Sequence, residues 1–94
     1  MSVFVVTWDL NHEKPNYRQA RAAFLRHLEA FENIRDGGLD SVRFISTPST
    51  AAQVEGYLRQ KLDSNDRLFV TRLNRGGHQG WLSKSVWAWI RERL

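Results

Sequence analysis

Cysteine is absent from this 94-residue chain, proline occurs twice, glycine six times and methionine once. Without a thiol there is no thiolate metal site, redox pair, disulfide staple or cysteine nucleophile, an absence that fits a reducing compartment. Long apolar runs are also missing. Val3-Phe4-Val5-Val6 gives way at once to Thr7, Trp8 and Asp9, too short for a signal-peptide core or a membrane span. A soluble, cytoplasmic protein with no membrane partner is expected. No repeat, low-complexity tract or long Pro/Gly/Ser linker divides the chain, so residues 1–94 are read as one domain with a single modest core.

Acidic residues are unevenly scarce. Met1 to Asp66 carry 8 basic and 9 acidic side chains, whereas Arg67 to Leu94 carry 6 basic and 1 acidic, so the net charge of +4 resides in the last third. Clustered cations are rewarded by a polyanion through counterion release. Arg72, Arg75 and Lys84, with His78 in the loop beside Arg75, are the candidate phosphate-binding residues.

Hydrophobic periodicity supplies the elements. Val3 to Leu10 reads as a buried central strand, bounded by Asn11-His12-Glu13-Lys14-Pro15. Asn16 is placed to cap a helix in which Tyr17, Ala20, Phe24, Leu28 and Phe31 recur at three and four. Asp36-Gly37-Gly38 is a turn signal between a short strand at Asn33–Arg35 and a second at Ser41–Thr47. Thr50 and Gln53 have capping-box spacing, opening a helix striped by Ala51, Val54, Leu58 and Leu62. Arg67 to Leu73 resumes a strand, and Asn74 to Gly80 reads as a loop. Ser83 is the expected N-cap of a final helix, with Leu82 and Trp87 as its hydrophobic staple. Val86, Trp87, Ile90 and Leu94 face one way, and Trp89, offset by two, is left on another face as a candidate intersubunit contact. Strand, helix, two strands, helix, strand is the α+β ferredoxin-like βαββαβ arrangement, with a short C-terminal helix added. Right-handed crossovers put both long helices on one face of an antiparallel sheet, leaving the other for a partner, a ligand or self-association.

Several of these segments resemble, in order, the small prokaryotic proteins described as SinR-like. They are Val5-Val6-Thr7-Trp8-Asp9-Leu10-Asn11, Asp40-Ser41-Val42, Asn65-Asp66-Arg67-Leu68-Phe69-Val70 and the tail Gly80-Trp81-Leu82 with Trp87-Ala88-Trp89-Ile90. The aromatic-Asp pair ending the first strand is more distantly similar to the CRISPR-associated protein 2 family and virulence-associated protein D. Those families are ferredoxin-like homodimers, described as metal-dependent nucleases or nucleic-acid-binding scaffolds. The resemblance implies a homodimer and places Asp9 near its axis as a catalytic residue and metal ligand.

The chemistry of the residues is narrower. A carboxylate ending a buried strand suits Mg²⁺ or Mn²⁺, and a two-fold axis would supply the second carboxylate that one Asp lacks. The structural alternative is that Asp9 caps the following turn. His12, His27 and His78 show no i,i+4 metal spacing, no serine has a nucleophile-elbow context, and Gly76 to Gly80 lacks the residues of a phosphate-binding P-loop. Trp8, Trp81, Trp87 and Trp89 among arginines would suit stacking on unpaired bases. Two functions are therefore expected to compete. One is a small homodimeric nucleic-acid-associated protein acting on RNA or DNA, extending to a metal-dependent nuclease. The other is a non-catalytic dimeric module that binds a protein partner.

Overall fold

The computed structural model describes residues 1–94. Ser2–Asp9 form β1, which is paired antiparallel on both sides: with β3 (Val42–Thr47) and with β4 (Arg67–Arg72). A short β2 (Glu32–Ile34) adds to the far side of β3, so the order is β2-β3-β1-β4 with every neighbour antiparallel. This is the ferredoxin-like α+β topology expected from the element order. The run Val3 to Trp8 is apolar at almost every position because β1 is covered on both faces. Phe4, Val6 and Trp8 are buried on one face and Val3 on the other.

Helix α1 (Tyr17–Leu28) and helix α2 (Ala51–Arg59) cover the first of these faces. Phe24 and Leu28, four apart and therefore on one side of α1, are buried with Val54 and Leu58 of α2 and Ile45 of β3. The Phe24 ring lies 5.1 Å from Trp8, tilted by 54°. Each such side chain contributes about 1.5–3 kcal/mol when fully withdrawn from water. The capping box of α2 is complete: Gln53 N–H donates to Thr50 Oγ1 and Thr50 N–H to Gln53 Oε1. The helix is shorter than its stripe predicts. After Arg59 the N–H groups of Gln60, Lys61 and Leu62 donate to carbonyls three residues back, so a tightened turn carries Leu62 onto the core. Asn16 stands at the N-cap of α1 without a side-chain cap bond.

The opposite face departs from expectation. Helix α3 (Lys84–Arg93) lies across it, and Val86 and Ile90 are buried with Val3 and Phe44, joined by half-buried Val5, Ile34 and Val42. The face that the sequence pattern leaves to a partner is largely sealed by the chain's own last helix. Ser83 sits at the N-cap of α3 but makes no side-chain cap bond. Its backbone N–H instead donates to Asp36 Oδ2 at 2.8 Å, and Asp36 Oδ1 accepts from Gly38 N–H at 2.8 Å. The Ser83 and Gly38 amides hold the Asp36 carboxyl below its ordinary range. At the other end Arg93 reaches Glu32 at 3.0 Å and covers the Trp89 ring at 4.2 Å. Trp89 is thus half-buried against the chain's own second core, not displayed on a separate face. What stays open on this side of the sheet is the corner formed by Asp9 of β1 and by Arg67, Phe69 and Thr71 of β4.

Candidate nucleic-acid interface

Between β4 and α3 the chain must return across the sheet, and Leu73 to Ser83 do so. Gly76 takes φ +77°, a conformation that L side chains rarely adopt, and Gly77 N–H donates to the Asn74 carbonyl at 2.9 Å. His78 Nδ1 donates to that same carbonyl at 2.9 Å, leaving Nε2 as the free ring nitrogen. The ring stacks on Trp87 of α3 with centroids 6.1 Å apart and planes 20° from parallel. Arg75 closes the end of the loop onto α3 by donating from Nη2 to the Leu94 carbonyl at 2.5 Å.

These contacts leave a cleft of about 600 Å³ between loop and helix. Arg75, His78 and Arg91 bring cationic or protonatable groups to its wall, Trp87 and Ile90 an apolar surface; no Asp or Glu side chain lines it, and the main chain of Leu94, whose oxygen Arg75 holds, closes its end. Arg91 follows Trp87 by four positions, so both lie on one side of α3. Trp81, beside Gly80 of the lining, is 98% exposed. A second cavity of about 250 Å³ shares His78, Gln79, Gly80, Trp87 and Ile90 with the cleft, and its remaining walls are all apolar.

The residues singled out in the sequence are divided by this geometry. Arg75 and His78 come together in the cleft. Arg72 lies opposite Phe4 at the end of β4, outside the lining, and donates weakly to Asn74 Oδ1 at 3.5 Å. Lys84 begins α3 and also lies outside it. Arg91 belongs to the surplus of basic residues in the last third, and Trp87 to both the stripe of α3 and the tryptophans suited to stacking; their spacing of four is the signal that sets them side by side.

Asp9 is in a different place. It is exposed, pairs in register with Arg67, and borders a shallow groove with Thr7 and Phe69. No cluster of three or more His, Asp or Glu side chains is positioned to hold a metal ion. Arg67, in register opposite Asp9, turns its guanidinium to the Ser64 and Asp66 carbonyls. His12 and His27 are engaged with aromatic rings, His12 on Tyr17 at 4.3 Å and His27 on Tyr57 at 3.7 Å. No helix is long and apolar enough to cross a membrane. No family model matches the chain, and no solved structure matches it.

Proposed function

We propose that this chain is a nucleic-acid-binding protein that holds the phosphodiester backbone of RNA or DNA in the cleft between the Leu73–Ser83 loop and α3. The observation that carries the reading is the lining itself: Arg75, Arg91 and His78 converge there, with no Asp or Glu side chain among them. A flexible polyanion gains from such a groove by releasing its condensed counterions, and arginine forks match phosphate oxygens two at a time. Trp87 in the wall and Trp81 outside give bases a surface to stack on. The likeness to families described as nucleic-acid-binding scaffolds points the same way.

The test is fluorescence anisotropy with a labelled single strand of about a dozen nucleotides, a length within the usual site sizes. Binding is expected at low salt, with log K falling linearly against log salt concentration. Arg91→Ala is expected to make that slope shallower by about 0.7, the share of one single-strand phosphate contact. Arg67→Ala, at the other end of the sheet, is the control and is expected to leave it unchanged. Absence of binding at low salt, or an unchanged slope in Arg91→Ala, would overturn the reading.

Homodimerisation is part of the same proposal, with a changed surface. β4 has a partner on one edge alone, and Phe69 on its open corner is 63% exposed. An unpaired strand edge beside an exposed aromatic ring favours pairing with a second copy there.

A further inference from the structure

The cleft and the apolar cavity share five lining residues, so the two spaces adjoin and one ligand can reach both. The two differ sharply in chemistry. The outer space presents guanidinium groups, whereas the inner is lined by Val5, Leu39, Val42, Phe44, Leu73 and Leu82. A cationic vestibule in front of an apolar recess suits a ligand with a phosphate on one side and a flat, poorly hydrated ring on the other. Polar atoms occur just at the junction. His78 has Nε2 free, and the Gln79 amide oxygen already accepts from Gly80 N–H, which leaves its amide N–H₂ to donate.

We infer that the inner cavity receives one unpaired base of the strand whose phosphates occupy the outer cleft, so that the protein selects single-stranded over double-stranded nucleic acid. The inference rests on the proposed backbone binding and adds the part that distinguishes strands. A duplex keeps its bases stacked and paired, and moving one out has a cost that a single strand does not incur. The recess offers that base apolar walls along its faces and two polar groups at the mouth along its edge. Gly80 lines both spaces, and a Cβ added there would lie 3.8 Å from the Trp87 ring.

Three probes of equal length separate the outcomes: a single strand, the same backbone with abasic sites throughout, and a duplex. Binding of the single strand is expected to be about tenfold tighter or more than binding of either other probe, the range of one buried base–aromatic contact. Leu39, 36% exposed in the turn between β2 and β3, is a wall residue that can be enlarged without disturbing the core. Leu39→Trp is expected to erase the preference while leaving the salt slope and the melting temperature unchanged. Equal affinity for all three probes, with a slope that still responds to Arg91→Ala, would overturn the base pocket and leave backbone binding standing. A preference that survives Leu39→Trp would also overturn it. Failure of every probe to bind at low salt would remove both readings together.

Discussion

Asp66 is the carboxylate on which two loops depend. Its side chain is fully buried and accepts three hydrogen bonds: from Lys14 Nζ at 2.8 Å, Asn11 N–H at 2.8 Å and Asp63 N–H at 3.0 Å. Lys14 also reaches Asp63 at 2.9 Å, so the β1–α1 loop is fastened to the α2–β4 loop. Burial pushes the Asp66 carboxyl up, but the Lys14 ammonium and the two amides outweigh it and hold the group below its ordinary 3.8. Asp66 first, then Asp63, hold Lys14 above its ordinary 10.5. The signs define a plateau. The Asp66 contribution is complete above pH 3.8 and is lost as pH falls through the lower folded-state value; the Lys14 contribution is complete below 10.5 and is lost as pH rises through the higher one. Asp66→Ala, which leaves Lys14 with Asp63 alone and two amides without their acceptor, is expected to cost about 2–4 kcal/mol in denaturant titrations at pH 7. Asp66→Asn is expected to lose the extra acid sensitivity that the parent shows as pH falls below 3.8. A loss below about 0.5 kcal/mol in Asp66→Ala would show the knot to be a surface pair of little consequence. None of this was legible in the sequence, where Lys14 belongs to a charged loop and Asp66 to a helix-breaking run. Fifty-two residues separate them, and no local pattern reports a contact across that distance.

At the scale of elements, periodicity was a sound guide to what forms and a poor one to where it docks. The strands and helices appear where apolar spacing predicts, and the Thr50 and Gln53 capping box is present because both bonds are local to four residues. Asn16 and Ser83, by contrast, supply no side-chain cap bond, since a cap also depends on loop geometry that residue type does not set. The stripe of α3 was visible, but a stripe specifies one apolar surface and not its partner. Both sheet faces were apolar enough to accept it, and the tie from Asp36 to Ser83 N–H, 47 residues apart, helps to hold the start of the helix over the second. The cleft is a consequence of that choice, because Arg91 and Trp87 meet Arg75 and His78 through the placement of α3. If α3 is an integral layer, its buried residues carry as much stability as those of α2. Ile90→Ala is therefore expected to cost about 2–4 kcal/mol, close to Leu58→Ala, since both side chains are almost wholly buried. Urea titrations of the two variants decide it. A cost under 1 kcal/mol for Ile90→Ala would mean that α3 peels away in solution and leaves the sheet face bare.

For the whole molecule, the closed second face changes how two copies can meet. A dimer through the sheet face would require α3 to leave, exposing Val3, Phe44, Val86 and Ile90, which are now buried together. The free β4 edge and the Phe69 corner require no such rearrangement. Phe69 lies two register pairs along from Arg67, which is paired with Asp9, so a seam at this corner also brings the two Asp9 carboxylates nearer to each other than a seam through α3 would. Sedimentation equilibrium is expected to show a concentration-dependent shift from 11.0 kDa towards twice that mass. Phe69→Glu, which places charge on the seam without touching either core, is expected to hold the chain at the monomer mass with its melting temperature unchanged. The same variant tests the nuclease reading, because that reading draws one Asp9 carboxylate from each of two copies. Cleavage of RNA or DNA in Mg²⁺ or Mn²⁺ that uses both copies must disappear in Phe69→Glu and in Asp9→Ala alike, while single-strand binding through Arg75 and Arg91 persists in both. Cleavage undiminished in Asp9→Ala would remove that carboxylate from the chemistry, and a parent chain that stays at 11.0 kDa at every concentration would remove the dimer.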